Sequence, residues 1–237
     1  MTPEEIVNTR RYEVVSQLPD NTKLKDLGLI GSCDSMSYVG RNRAQNWNLS
    51  EQIYHGVRVL EFVLIKKDGE YYCVNGTLNL VYRKFESVLE ELRQYLKYLH
   101  PREFFMINVE TLLTYPKALE DYLEEKDLIF KELSLDTEIS QLRGKVVCLS
   151  INGCVQFSVE TLLNTSFKKF VYLYNRTVPK VNTLNEVHVQ GKVGLFGNRR
   201  LKFVDKLIKR RSLLREGKII GIYYFDFVDK FIEAKMI

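Results

Sequence analysis

A polar loop near the N-terminus is the first segment whose residue types could do chemistry. Residues 27–30 form a short apolar run that ends in Gly31-Ser32-Cys33-Asp34-Ser35. This pattern is typical of a buried strand that runs into a polar loop. Cys33 could act as a nucleophile only if a nearby base lowered the pKa of its thiol, and the sequence shows no such base beside it. The alternative interpretation is a small thiol buried in the loop.

A basic stretch, residues 192–218, is the second candidate. It holds ten Lys or Arg against Asp205 and Glu216, a net charge of +8, whereas the whole chain carries +5. A charge run is often a solvated helix face, and this interpretation stays open beside that of an anionic partner. Because basic residues attract any phosphate group, the sequence of this stretch does not show whether its partner is a membrane surface or a nucleic acid. Its candidate contact residues are Arg199, Arg200, Lys202, Lys206, Lys209, Arg210, Arg211 and Arg215.

The composition is that of a globular protein with a sizeable core. The chain has 237 residues, of which 27% are charged and 45% hydrophobic. No apolar run approaches the roughly 20 residues of a membrane-spanning helix, and no secretory signal precedes the first strand. We therefore expect a cytoplasmic protein, unless a leader was removed. Four cysteines without a CxxC pair predict reduced thiols; they are Cys33, Cys73, Cys148 and Cys154.

Strands and helices are predicted to alternate along the chain. Apolar residues at helical spacing predict helices at 49–54, 85–99, 117–133 and 201–214. Apolar runs predict strands at 27–30, 57–65, 71–74, 104–109, 145–151, 170–174 and 219–227, and residues 177–197 are predicted to be loops with a short strand. Strands that alternate with crossover helices predict a parallel sheet buried on both faces. The length of the repeat favours an α/β fold of the barrel type, with residues 1–237 as one domain.

The order of the motifs resembles the X-domain of phosphatidylinositol-specific phospholipases C, whose fold is a distorted TIM barrel. The resemblance runs from about residue 18 to residue 228 and rests on five motifs in the right order. They are Leu-Ile-Gly-Ser-Cys-Asp-Ser at 29–35, Gly-Val-Arg-Val-Leu-Glu at 56–61, Val-Asn-Gly at 74–76, Leu-Arg-Gly-Lys-Val-Val at 142–147 and Gly-Ile-Tyr-Tyr-Phe-Asp-Phe at 221–227.

The resemblance implies that both catalytic histidines of the family are replaced. The family uses one histidine as a base and one as an acid; here Cys33 and Asn75 stand at those places. A thiol with a pKa of about 8.5 is mostly protonated at neutral pH, and an amide exchanges no proton. Of the remaining histidines, His55 and His100 lie near predicted helix ends. A substitute catalytic role is an alternative for His188 alone.

The resemblance also places a pocket around three carboxylates. Val63 stands where bacterial members have a phosphate-binding Arg and animal members a calcium-binding acid. Asp34, Glu61 and Glu110 remain at matching positions, and the last two correspond to calcium ligands in some members. These three could hold one divalent cation at the carboxyl rim of the barrel, although calcium prefers six to eight ligands. We therefore expect no cofactor and treat a Ca²⁺ site as the less favoured alternative to carboxylates that order the loop.

Three hypotheses follow for function. The first is a degenerate phospholipase C fold that binds an anionic lipid head group, a membrane surface or a protein partner, with the protein at the membrane periphery. The second is an active phosphoric diester hydrolase that uses unfamiliar residues, with a metal at Asp34, Glu61 and Glu110. The third is a module that uses its basic face on a protein or, as the less favoured partner, a nucleic acid.

Overall fold

The computed structural model describes residues 14–39, 43–74, 81–98, 101–111, 116–130, 133–149, 157–161, 184–189 and 221–233. These residues form nine strands and four α-helices. The strands are β1 (Gly28–Ser32), β2 (Val59–Lys67), β3 (Glu70–Val74), β4 (Val81–Lys84), β5 (Phe105–Thr111), β6 (Val146–Cys148), β7 (Phe157–Thr161), β8 (Leu184–Val189) and β9 (Gly221–Phe225). The helices are α1 (Leu49–Tyr54), α2 (Phe85–Tyr98), α3 (Pro116–Glu125) and α4 (Val228–Glu233).

All nine strands belong to one mixed sheet. Seven of them are parallel and follow the order β7-β8-β9-β1-β2-β5-β6, and the antiparallel hairpin β3-β4 extends from β2. The predicted α/β class is therefore confirmed. The predicted barrel is not seen as a closed one, because within the described ranges β6 pairs with β5 alone and β7 pairs with β8 alone.

Most predicted strands are present with shifts of a few residues at their ends. The turn between β2 and β3 is the predicted Asp68-Gly69, and both residues have positive φ, 51° and 83°. The prediction at 145–151 is too long, since β6 has only three residues. The short strand predicted within residues 177–197 is confirmed as β8, whereas no strand was predicted at β4 or β7. The strand predicted at 170–174 and the basic helix predicted at 201–214 lie outside the described residues.

Local signals explain where the helices begin and end. A capping box starts α1: the Asn48 side chain accepts from the Glu51 amide at 2.9 Å, and the Glu51 carboxylate accepts from the Asn48 amide at 2.8 Å. The helix predicted at 117–133 is wrong in length, because α3 ends at Glu125. Asp127 there adopts a φ of 55°, and the Leu128 amide bonds back to the Leu123 carbonyl at 3.0 Å, as in a Schellman motif.

The core has two layers, one on each face of the sheet. Alternate residues of β2 and β5 pack outward against α2, among them Leu60, Phe62 and Ile107. The intervening residues pack inward; Val59 and Met106 lie with Leu29, Val147 and Tyr224 in a second apolar cluster. Inward-facing positions near the carboxyl ends of β1, β2 and β5 are thus the positions at which polar residues can form a site.

A buried ion pair closes the opposite end of the sheet. Arg58 and Glu103 precede β2 and β5, and Arg58 Nε lies 2.7 Å from Glu103 Oε2 with both side chains inaccessible to solvent. The other carboxylate oxygen accepts from the amides of Val15 and Ser16 at 3.0 and 2.8 Å. Burial lowers the pKa of Arg58, while the facing carboxylate acts to raise it. This pair joins the N-terminal segment to the sheet, far from the carboxyl ends of the strands.

In the part of the chain that the structure describes, no helix is both long enough and apolar enough to cross a bilayer.

Candidate functional site

The loop after β1 begins with a buried thiol. The Cys33 side chain is 1% exposed and belongs to the inward apolar cluster with Leu29 and Tyr224. Its amide donates to the Phe225 carbonyl at 3.1 Å, and its own carbonyl accepts from Gln45 Nε2 at 2.7 Å. Both backbone groups of Cys33 are therefore fixed, and its side chain packs in apolar surroundings.

A hydrogen-bonded unit of Asp34, Ser35 and Glu61, here called the Glu61 clamp, shapes the rest of the loop. Glu61 Oε1 accepts from the Asp34 amide at 3.1 Å, and the Glu61 carbonyl accepts from the Ser35 amide at 2.8 Å. In return the Glu61 amide donates to Ser35 Oγ at 3.0 Å. Asp34 has a φ of 45°, a left-handed conformation that Asp tolerates better than most residues. The clamp holds Asp34 partly exposed at the end of β1.

Strand register brings the remaining carboxylate close to this unit. Glu61 pairs with Asn108 of β5, and Val63 pairs with Glu110. Residues two apart on a strand share a face, and paired residues point to the same side. Glu61, Val63, Asn108 and Glu110 therefore all lie on the inward face, with Glu61 buried and Glu110 exposed.

An apolar row crosses the same level of the sheet. Val63 pairs with Val74 of β3, which pairs with Val81 of β4 next to an irregularity in the ladder. Glu110, Val63, Val74 and Val81 thus stand side by side on four strands. Val63 and Val74 are buried, whereas Val81 is half exposed at the sheet edge. This wall of the site offers neither a cation nor a hydrogen-bond donor from its valine side chains.

The predicted site residues that the structure describes all lie on, or directly after, neighbouring parallel strands. Cys33 and Asp34 follow β1, Glu61 and Val63 lie on β2, and Glu110 lies on β5. Asn75 and the eight predicted basic contact residues lie outside the described residues, so their positions stay predictions. Within the described ranges, no three His, Cys, Asp or Glu side chains are grouped as a metal site. One oxygen of Glu61 already accepts a backbone hydrogen bond.

Two further polar residues adjoin this loop that the sequence analysis did not select. Asp226 is fully buried directly after β9, beside the end of β1. Gln45 is also fully buried, and its amide group joins three segments: it donates to Cys33 and Phe225 carbonyls and accepts from the Val228 amide at 3.1 Å. A signal for Asp226 existed, since it is the acidic residue within the apolar run predicted as the last strand.

His55 and the three described cysteines have structural surroundings. His55 is the C-cap of α1 and stacks on Trp47 with 4.0 Å between ring centroids. His188 lies on β8 opposite Tyr224 of β9. Cys33, Cys73 and Cys148 are buried and form no disulfide, and burial raises the pKa of the Cys73 thiol. A raised pKa disfavours the thiolate that a cysteine nucleophile requires.

Comparison with known proteins bears on the fold. No known family model matches the sequence, and no curated protein matches it. Solved structures do match over nearly the whole chain. The phosphatidylinositol-specific phospholipase C from Listeria monocytogenes superimposes with a TM-score of 0.65 at 20% identity, covering 93% of this chain and 97% of that one. A variant of the Staphylococcus aureus phospholipase gives 0.74 at 14% identity, covering 99% and 98%.

The chain has the phospholipase C fold. A further structure of the S. aureus phospholipase, from work on modulating the membrane binding of that enzyme, gives a TM-score of 0.72 at 13% identity and covers 99% of both chains. Identities of 13–20% show the fold alone. In the phospholipase C fold, as in other α/β barrels, chemistry is located at the carboxyl ends of the parallel strands, and the Glu61 clamp lies at that end.

Proposed function

We propose that this chain is a catalytically degenerate relative of phosphatidylinositol-specific phospholipase C that binds lipid without cleaving it. The observation that carries the proposal is the state of Cys33, which the sequence resemblance aligns with a catalytic histidine. Its side chain is 1% exposed within an apolar cluster. Phosphodiester cleavage needs a group that accepts and returns a proton at the reacting oxygen, and a buried thiol serves neither role.

The groups around Cys33 support the same conclusion. Val63, at the position of a phosphate-binding Arg or a calcium-binding acid, is apolar and packs in a valine row. One carboxylate oxygen of Glu61 already accepts a hydrogen bond from the Asp34 amide. The chain thus lacks the acid, the base and the phosphate contact, which contribute independently to the rate of phosphodiester cleavage. The acid and the base each contribute about 10²- to 10⁴-fold.

The partner that we propose is an anionic membrane surface or a phosphoinositide head group. Asp34 and Glu110 are accessible carboxylates that can accept hydrogen bonds from the hydroxyls of a polyol head group. They would repel its phosphate, so the attraction to anionic lipid is assigned to the basic stretch at 192–218, at about 1 kcal/mol per basic residue near the surface. The S. aureus phospholipase with the same fold has been studied for its membrane binding. A protein partner and, less favoured, a nucleic acid are the other candidates for the basic stretch.

The proposal includes one statement about architecture and one about location. The whole chain, residues 1–237, forms a single TIM-type barrel, which requires β6 and β7 to become neighbours in the closed sheet. The protein attaches to the membrane from the cytoplasmic side as a peripheral protein.

An active phosphodiesterase is the second candidate function. The observation in its favour is the exposure of Asp34 and Glu110 at one end of the sheet, where a metal ion could recruit them together with Glu61. A metal would have to displace the Asp34 amide from Glu61 Oε1 if it used that oxygen.

A turnover assay separates the two candidates. The purified chain is incubated with phosphatidylinositol vesicles with and without Ca²⁺, and released inositol phosphates are measured beside vesicle sedimentation. Sedimentation with the vesicles and no turnover is the expected result. Turnover that depends on Ca²⁺ and disappears in Asp34→Ala, but not in Glu138→Ala, would establish the enzyme instead; Glu138 is a control because it lies in an isolated bridge with Lys23, before the 3-10 helix Ile139–Gln141. Absence of both binding and turnover would contradict both candidates.

A further inference from the structure

One outer surface of the protein, formed by α3 and the start of α2, is rich in exposed carboxylates. Leu119 and Leu123 bury one side of α3, and charged residues at helical spacing occupy its solvent side. The carboxylates of this surface, here called the acidic ridge, are Glu86, Glu120, Asp121, Glu124, Glu125 and Asp127. Lys117 and Lys126 form ion pairs with members of the ridge, and Arg93 acts on Glu86. Six carboxylates against these three cations leave an excess of three negative charges.

A buried hydroxyl beside the acidic ridge has no hydrogen-bond partner. The Tyr71 side chain on β3 is 5% exposed, and its hydroxyl is buried and unpaired. Its ring packs on Tyr122 of α3 with 4.8 Å between centroids. Burial and the negative charge of Asp121, the chain neighbour of Tyr122, both raise the pKa of Tyr71. The unpaired hydroxyl therefore lies on the side of the ridge, within reach of the charge of Asp121.

The chemistry of this surface fits a cationic side chain. Lys66 Nζ already lies 5.4 Å from the centroid of the Tyr71 ring, so the ring accepts a cation of its own chain. Lys117 pairs with Asp121 at 3.3 Å through side chains that are 82% and 61% exposed, and such a contact is easily exchanged. An incoming ammonium or guanidinium group has enough N–H donors for both Asp121 and the Tyr71 hydroxyl. It would give a buried polar group the partner that it lacks.

The basic stretch at 192–218 has the charge that the acidic ridge requires. It carries a net charge of +8, and opposite charges attract within one chain or between two copies of it. Strand order favours two copies. The ridge helix α3 lies between β5 and β6 in sequence and the stretch lies between β8 and β9, and β1 and β2 separate these two pairs of strands in the described sheet. Because consecutive elements are usually adjacent in space, we expect the stretch of one copy to lie away from its own ridge.

We infer that the acidic ridge binds the basic stretch of a second copy of this chain. The two surfaces differ, so the contact is head-to-tail and not two-fold symmetric. It consists of exposed charge pairs around one buried hydroxyl, and it is therefore weak and sensitive to salt. The inference does not require the chain to bind lipid. It adds a competitor for the basic stretch, because a stretch that contacts a second copy is not available to an anionic surface.

Sedimentation velocity of the full chain tests the inference. The weight-average sedimentation coefficient of the wild type should rise with protein concentration at low salt and become constant at high salt. Glu120→Lys/Glu124→Lys should weaken the self-association about tenfold or more, because attraction becomes repulsion at two positions. Asp26→Lys/Glu138→Lys is the matched control, since it changes the net charge by the same amount outside the ridge. The control should associate like the wild type.

A mixture of two variants distinguishes a contact between copies from a contact within one copy. The second variant reverses the stretch, as Lys209→Glu/Arg210→Glu/Arg211→Glu, and it should also be monomeric when measured alone. Mixed in equal amounts, the ridge variant and the stretch variant should associate, because the intact stretch of the first meets the intact ridge of the second. A mixture that stays monomeric would overturn the inference, as would a wild type that stays monomeric at low salt.

Tyr71→Phe tests the buried hydroxyl separately. The hydroxyl has no partner in the folded chain, so its removal should not lower the free energy of unfolding in urea. Self-association should weaken about two- to tenfold, the effect of one lost hydrogen bond. Unchanged association of this variant, or a loss in the control as large as in the ridge variant, would overturn the inference. Vesicle binding plays no part in these measurements, so failure of this inference leaves the proposed function standing.

Discussion

The carboxylate of Glu61 accepts a hydrogen bond from the backbone amide of Asp34, with 3.1 Å between Oε1 and N. These residues are 27 positions apart and lie on neighbouring parallel strands or directly after them. This hydrogen bond gives the buried Glu61 carboxylate a structural role at the end of the sheet where active sites lie in α/β barrels. It links the shape of the loop after β1 directly to the residue at position 61.

Glu61→Ala should destabilise the protein by about 1 to 3 kcal/mol, because the Asp34 amide loses its acceptor in a largely buried site. Urea denaturation followed by circular dichroism measures the change in the free energy of unfolding. Glu110→Ala is the control: it removes an exposed carboxylate from the same face, and we expect a change within about 0.5 kcal/mol. Equal effects of the two substitutions would contradict the role assigned to the clamp.

Removal of the buried partner of Arg58 should have a larger effect. Glu103→Ala leaves an inaccessible guanidinium without its carboxylate and two amides without an acceptor, so we expect a loss of about 3 to 5 kcal/mol. The matched control is Glu70→Ala, which breaks an ion pair of the same 2.7 Å length between half-exposed side chains. That loss should stay below about 1 kcal/mol. A loss of less than about 1 kcal/mol for Glu103→Ala in the same denaturation experiment would contradict the stabilising role assigned to the buried ion pair.

Asp229 should make stability depend on pH in the acid range. Burial raises the pKa of its carboxyl above the ordinary value of 3.8, while the hydrogen bond from Asn46 acts to lower it. One of its oxygens is buried without a hydrogen-bond partner. The folded state therefore holds the proton more tightly than the unfolded state. The stabilisation due to protonation is complete below the ordinary pKa and is lost as the pH rises through the folded one.

Asp229→Asn removes this titration and keeps the shape of the side chain. The variant should gain thermal stability relative to the wild type at pH 7, and the difference should shrink as the pH falls below 4. Thermal unfolding of both proteins, from pH 7 to below pH 4, measures this difference in stability. A difference that is constant with pH, or that grows in acid, would show that the carboxyl is ionised without penalty in the folded state.

The basic stretch makes vesicle binding sensitive to salt and to charge. Reversal of Lys209, Arg210 and Arg211 to Glu should abolish most binding to vesicles that contain anionic lipid, because about 1 kcal/mol is lost for each basic residue near the surface. Wild-type binding should weaken between low and physiological salt. Reversal of Lys23, Lys25 and Lys84, which are already paired with Asp136 or Glu70, changes the net charge by the same amount and serves as the control. Equal binding of wild type and variant would exclude this stretch as the membrane contact.

Periodic apolar residues were sufficient to predict the elements that position the site. The helix α2 and strands β1, β2, β3, β5 and β9 each carry a local pattern of apolar residues that the sequence displays directly. The end of α3 was missed because Asp127, and not a glycine, takes the left-handed position. The spacing of apolar residues around this position does not indicate that an aspartate takes the left-handed conformation.

The contacts within the candidate site required the fold. The Glu61 clamp and the bonds of Gln45 join residues 12 to 183 positions apart, and only strand register brings them together. Register also decides that Val63 stands between Glu110 and Val74. The sequence resemblance selected positions on β2 and β5 and directly after β1, but it contained no information on what each side chain contacts.

The bond from Gln45 to the Phe225 carbonyl spans 180 residues and has a consequence for synthesis on the ribosome. β1 emerges before the other described strands, but it lies between β2 and β9, and β9 is the last strand of the described chain. Pairings this distant in sequence form slowly and leave strand edges open until they form. A nascent chain that has not yet released Phe225 therefore carries β1 with one edge unpaired, and its loop after β1 takes its final shape only after β9 has emerged.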